Sequence, residues 1–283
     1  MINRLKHFGL LTCLGACVMA APSFVHAEKA GLMISPTRFV LGESERTVTV
    51  DIINKGDARG SYRIELIDMI MPENSSIREL KEGETDPYSL KRFARISPRR
   101  TVLKPDGVQK IRILLRRPKD LEDGEYRSHL KVTLTEDNLD RVERAQPTKN
   151  LSIQIKPRLV FTIPIIVRQG ETHYQVNIDE AKLYFSEQDK ARKTPMLEML
   201  FRHKGTRSSM GDIKVYHIKP DGNRTVVVFH PGVAVYRTAD SRRIRVPLNV
   251  PEGVNLNEGK LRITYVERAH EGGDVIAEKT VDL

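Results

Sequence analysis

The chain has no tryptophan, and aromatic residues make up only 6% of it. Its two cysteines, Cys13 and Cys17, both sit close to the N-terminus. That excludes a disulfide scaffold and a cysteine-based zinc cluster from the body of the protein. Beyond residue 27 no apolar run reaches the ~18 residues that a membrane-spanning helix needs. No long segment carries apolar residues at i, i+3, i+4 and i+7; residues 188–200 have room for one helical turn and no more. The histidines beyond the N-terminal segment (His129, His173, His203, His217, His230 and His270) are scattered, without H-x-x-x-H or H-E-x-x-H spacing. There is no G-x-S-x-G and no phosphate-binding glycine loop, so no catalytic site, metal or cofactor is expected from local motifs. A composite site built from distant residues stays open.

What is present is an exported, basic, strand-rich chain. Residues 1–27 carry Arg4 and Lys6, then an apolar stretch from Phe8 to Ala21, then Val25-His26-Ala27. That order of charge, apolar run and small residues is a secretory signal, with cleavage expected after Ala27. An alternative cut is offered by Leu14-Gly15-Ala16-Cys17, which has the form of a lipidation motif at Cys17. Removing residues 1–27 lowers the formal charge from +10 to +8 and takes both cysteines away. A charge of that size suits acidic partners, an anionic surface or nucleic acid. Export and the lack of a recognised motif speak against nucleic acid.

Apolar and polar residues alternate in run after run. Val48, Val50 and Ile52 alternate with Thr47, Thr49 and Asp51; Tyr62, Ile64 and Leu66 share one parity; so do Ile111, Ile113 and Leu115, and Tyr126, Leu130, Val132 and Leu134. Period two over such lengths predicts half-buried strands. Turn residues punctuate them at Asn54-Lys55-Gly56, Pro105-Asp106-Gly107, Asp123-Gly124 and Pro220-Asp221-Gly222. Many short strands with regular turns predict an all-β protein made of sandwiches. The polar segment Arg168-Gln169-Gly170-Glu171-Thr172 is the expected boundary, giving an N-terminal domain over 28–168 and a C-terminal one over 169–283. The second set of strands is expected to include YQVNI, AKLYF, LEMLFRH, TVVVF and VAVYR as separate elements.

Residues 151–167, LSIQIKPRLVFTIPIIV, do not fit a plain sandwich. Every odd position is apolar (proline at 157), and the first even positions are Ser152, Gln154, Lys156 and Arg158. Seventeen residues at about 3.3 Å each span roughly 56 Å, about three times a typical strand. Part of the stripe is therefore expected to project beyond its own core as a docking edge. The competing reading is a core strand that runs on into the linker. The stretch before it, 135–150, is polar and highly charged, and reads either as an ordinary exposed loop or as one that orders on contact.

Residues 32–54, LMISPTRFVLGESERTVTVDIIN, resemble the N-terminal strands of the periplasmic chaperones of the chaperone–usher pilus pathway. The carrying features are Arg38 before Phe39-Val40-Leu41, the polar turn Gly42-Glu43-Ser44-Glu45, and the strand Val48 to Asn54. The order of later strands also fits, and Gly232 to Tyr236, Arg242-Arg243 and Val246-Pro247-Leu248 resemble the family's later strands. The stretch Asp123 to Leu130 departs from the family pattern, as does the lack of a disulfide, so the resemblance is to a divergent branch.

The resemblance implies two immunoglobulin-like β-sandwich domains set at an angle, boomerang-like. It implies a periplasmic protein that binds, stabilises and delivers pilus or fimbrial subunits by lending them a strand. Leu151, Ile153 and Ile155 would be the donor-strand knobs. Arg38 and a second basic residue, Arg158 or else Lys156, would hold the subunit's terminal carboxylate between the domains. The implied partners are pilus subunits and the outer-membrane usher, with no cofactor, no enzymatic step and no membrane insertion once the signal is removed. Two other readings stand beside it: an exported structural fibre or adhesin module, and a lipid-anchored binding module resting on Cys17.

Overall fold

The computed structural model describes residues 31–74, 76–135, 159–186, 193–268 and 272–283. The chain is all-β, with two immunoglobulin-like sandwiches in sequence.

The first sandwich contains β1 (Met33–Ser35), β2 (Phe39–Leu41), β3 (Thr47–Ile53), β4 (Gly60–Ile67), β7 (Ala94–Ser97), β8 (Arg100–Leu103), β9 (Val108–Leu115), β10 (Gly124–Leu134) and β11 (Val160–Gln169). They form two sheets, in the orders β1-β3-β9-β7 and β2-β11-β10-β4-β8. A small hairpin, β5 (Met69–Ile70) with β6 (Arg78–Glu79), and a 3-10 turn, Leu90–Arg92, lie between β4 and β7. The alternation does what it predicts: Val50, Ile52, Ile64, Ile111 and Ile113 are sealed in one core, while Thr47 and Thr49 face out. Burying one such side chain contributes about 1.5–3 kcal/mol.

Asn54 ends β3 and shows why an amide belongs there. It is fully buried, and both ends of its side chain are occupied. Oδ1 accepts from the Gly31 and Gly56 amides, each at 3.0 Å, and Nδ2 donates to the carbonyls of Ala58 at 2.7 Å and Leu103 at 3.1 Å. A buried polar group so satisfied ties three loops together; an apolar residue would leave their backbone groups unmatched.

The second sandwich contains β12 (Tyr174–Ser186), β13 (Thr194–Gly205), β14 (Ser209–Ile218), β15 (Arg224–Val235), β16 (Ser241–Pro247), β17 (Lys260–Glu267) and β18 (Val275–Asp282). Its sheets run β12-β13-β16 and β15-β14-β17-β18, antiparallel throughout. Three expectations are corrected. YQVNI and AKLYF are one strand, β12, with a bulge at Asp179. TVVVF and VAVYR are likewise one strand, β15; its irregularity around Pro231-Gly232 is stapled by the Gly232 amide donating to Asp212 Oδ1 at 2.8 Å. Residues 194–200 of the proposed helical turn are strand, because β13 is the central strand of its sheet and pairs on both sides.

Candidate functional site

The site begins where the chain changes sheets. β1 pairs with β3 in one sheet of the first sandwich; after Pro36 and Thr37 the chain enters the other sheet as β2, parallel to β11. Arg38 occupies that crossing, one residue before the first parallel pair, Phe39 with Ile165. A three-residue strand needs outside support, and Arg117 supplies it. Its guanidinium donates to the carbonyls of Glu43 at 2.8 Å and Glu45 at 3.1 Å, to that of Gly42, and to Gln169 Oε1 at 3.2 Å. The Gly170 amide donates to Glu43 Oε1 at 2.6 Å. The turn after β2 is thereby fixed to the end of β11, and with it the place of Arg38.

Half-buried Arg38 reaches out of the first sandwich and meets Met210 Sδ on β14 of the second. Behind it lies a buried polar network contributed by both sandwiches. Arg127 on β10 is 4% exposed; its guanidinium carbon stands 3.2 Å from the centre of the Tyr236 ring, and its Nη1 donates to Ser208 Oγ at 3.0 Å. Glu125 Oε1 is 3.7 Å from Arg127 Nη1 and accepts from Ser208 Oγ, while Arg168 Nε lies 3.6 Å from Glu125 Oε2. Arg237 donates to the Glu125 carbonyl at 3.0 Å, and its guanidinium covers Tyr88 at 3.5 Å. These contacts are cation–π and charge-assisted hydrogen bonds in a desolvated place, where each is strengthened.

Burial pulls the Arg127 pKa below its usual value, although Tyr236, Glu125 and Asp86 oppose the shift; the Arg38 charge adds to it. The His129 imidazole, with Nε2 3.3 Å from Tyr236 Oη, is pushed down to about 3 by burial and by the Arg127 charge. Burial pushes the Asp86 carboxyl upward. Arg127, Arg168 and Arg237 thus lie among two carboxylates, Glu125 and Asp86, with the Arg38 charge acting on Arg127. The gap between the sandwiches has an excess of positive charge, suited to an anion such as a carboxylate.

β11 forms the second part. It pairs with β10 from Val160 to Gln169, but β2 covers its other edge only at Ile165–Val167. Among the described residues, no strand covers that edge from Val160 to Pro164. Val160 and Phe161 are 42% and 37% exposed there, whereas Ile163, Ile165 and Val167 are buried in the first core. For those three odd positions the competing reading, a core strand, is the one observed. Leu151, Ile153, Ile155, Lys156 and Arg158 lie outside the described residues, as do residues 1–27 and the greater part of the polar stretch before the strand.

Sequence reasoning singled out Arg38 and missed Glu125, Arg127, Ser208, Tyr236 and Arg237. Arg127 and His129 occupy the parity opposite Tyr126 and Leu130, which alternation assigns to solvent. They are buried because the second sandwich closes over the first turns of β10, so Gly124 through Leu130 are buried without a break. The one available signal was the unusual run Glu125-Tyr126-Arg127-Ser128-His129, polar at both parities.

No protein-family model and no curated protein matches the chain. Among solved structures it is similar to the class 5 fimbriae chaperone CfaA, at 12% identity and a TM-score of 0.43 over 89% of this chain and 98% of that one. It is similar to the chaperone YadV at 15% identity and a TM-score of 0.43, over 89% and 99% of the two chains. Similarity to the Pseudomonas aeruginosa chaperone CupB2 is 13%, with a TM-score of 0.43 over 88% and 98%. Among the described residues no helix is long and apolar enough to cross a membrane, and no group of His, Cys, Asp or Glu side chains is placed to hold a metal ion.

Proposed function

We propose that this protein is a periplasmic chaperone that holds pilus or fimbrial subunits by donor-strand complementation and passes them to an outer-membrane usher. One observation carries the reading. The cover that β2 gives β11 stops at Ile165, with Arg38 standing at that point beside the gap between the sandwiches. Upstream of it no strand among the described residues pairs with that edge of β11, and the alternating segment with Leu151, Ile153 and Ile155 precedes that edge directly in the sequence.

A subunit lacking its last strand exposes a hydrophobic groove and unpaired backbone. An alternating strand laid into the groove supplies main-chain hydrogen bonds for affinity and apolar knobs for register. Each Leu or Ile knob buried contributes about 1.5–3 kcal/mol. Arg38, with Arg158 or Lys156, would hold the subunit's terminal carboxylate; a guanidinium fork grips both oxygens. The action is binding and release, with no cofactor and no bond made or broken.

The test is tagged expression in the periplasm, capture, and mass spectrometry of what travels with the protein, beside an Arg38→Ala/Arg158→Ala variant. A subunit-like partner is expected with the wild type and a loss of about tenfold or more with the variant, at unchanged melting temperature. An undiminished complex would sink the anchor assignment. Surface polymer made of this chain itself would replace the chaperone reading by that of a fibre component.

A further inference from the structure

Several cations on the strands of this protein meet an acid. Lys110 stands opposite Asp51 across β9 and β3 and pairs with it at 3.0 Å. Arg245 stands opposite Glu198 and Lys260 opposite Asp282, and both are paired. Arg262 grips Glu278 with two bonds, at 2.9 and 2.7 Å. Among the described strand pairings, one position sets like charge directly against like charge. Arg63 of β4 stands directly opposite Arg100 of β8 in antiparallel register, with both side chains on one face and both residues exposed. Among the described residues neither makes an ion pair, and neither does the neighbouring Arg99. Like charges directly opposed destabilise a sheet, so this arrangement needs a reason.

The two arginines border a cavity of about 490 Å³, which Arg99, Lys91 and Arg95 also line. The cations come from three directions: β4, β8, and the segment of the 3-10 turn and β7. Glu65 is the one acid in the lining, and it stands opposite Lys131 on the next strand. Ile64 donates its amide to the Arg99 carbonyl at 2.9 Å. Backbone groups two residues apart point the same way in a strand, so the Leu66 amide is aimed at the cavity, past the end of β8. The site thus offers guanidinium forks and a main-chain donor around a compact space, with the Lys91 ammonium at its border paired to Asp68 at 3.5 Å.

We propose that this cavity is a binding site for a compact polyanion carrying two or more phosphoryl groups, either a free polyphosphate or a phosphorylated lipid headgroup. Guanidinium forks match phosphate oxygens bidentately, and a ligand with several charges is what converts the Arg63–Arg100 opposition from a cost into a gain. The inference does not depend on the chaperone reading.

The test uses the full mature chain in about 0.15 M salt, where exposed charges farther apart than about 8 Å are screened. Tripolyphosphate is titrated calorimetrically, and in parallel the protein is floated with vesicles of phosphatidylcholine containing cardiolipin, whose headgroup carries two phosphates. Saturable binding is expected, weakened about tenfold or more in Arg63→Gln/Arg100→Gln and unchanged in Lys104→Gln, which removes the same kind of charge outside the cavity. Binding of tripolyphosphate without flotation assigns a soluble ligand; flotation lost in the same variant assigns a headgroup. As a second measurement, tripolyphosphate should raise the melting temperature of the wild type and not of the double variant. The proposal is overturned by absent binding, by binding that the double variant retains, or by tighter binding of an acidic peptide such as oligoglutamate at the same residues.

Discussion

Two groups of arginines in this protein use the same side chain in opposite ways. Around Glu125, the guanidiniums of Arg127 and Arg237 lie against tyrosine rings and donate to Ser208 and to the backbone, drawing on both sandwiches at once. Around the cavity at the end of β8, Arg63, Arg99 and Arg100 are exposed, and Arg63 stands directly opposite Arg100. The first group is desolvated and matched, so its charge is committed to holding two domains together. The second is solvated and unmatched, so its charge remains available to something that arrives. Formal charge alone does not separate structure from recognition; burial and the count of acceptors do.

The sharpest way to break that contrast is to truncate the buried group. Arg127→Ala takes from the buried Glu125 carboxylate one of its two guanidiniums and from Ser208 Oγ its buried side-chain donor. It should cost about 3–5 kcal/mol, read as a fall in urea-unfolding free energy. Arg127→Met, which refills the volume without the charge, should cost less. If Arg127→Ala costs no more than an exposed substitution, the network is decoration and the two groups are alike.

A second probe uses acid. His129 is neutral in the folded protein because burial and the Arg127 charge depress its pKa from 6.5 to about 3. The unfolded chain takes up the proton at about 6.5, so unfolding binds protons in the window between the two values. The stability is complete above the unfolded value and is lost as pH falls toward the folded one. From about pH 7.5 to about pH 5, the wild type should lose about 2 kcal/mol more than His129→Gln. Parallel profiles of the two proteins would mean that protons reach His129 freely in the folded state.

The sandwich strands were legible because one face of each sheet meets a core and the other meets water; β3 and β9 alternate for that reason. The all-β class followed from the same signal. The rest depends on partners far away in the chain. The parallel pairing of β2 with β11 joins Phe39 to Ile165, and no local pattern announces it. β12 and β15 read as two strands each, because Asp179 and Pro231-Gly232 look like turns; pairing with one continuous neighbour keeps each strand whole. Arg127 and His129 read as solvent-facing, since the surface that buries them belongs to the other sandwich. The opposition of Arg63 and Arg100 is a matter of register, which alternation leaves undetermined.

The smallest expected effect tests the other arm of the comparison. In the absence of ligand, Arg63→Gln should leave the protein as stable as the wild type or more stable by about 0.2–0.5 kcal/mol, because it relieves a repulsion between directly opposed charges. Lys110→Gln, at a strand cation matched with Asp51, should do the reverse by a similar amount. Adding salt should shrink both differences, since all of these groups are solvated. The two substitutions remove one positive charge each and sit on neighbouring sheets of the same sandwich, so a difference of sign between them isolates the counter-charge as its cause. If Arg63→Gln destabilises as Lys110→Gln does, then Arg63 already has a partner within the protein, and the cavity is an ordinary charged surface.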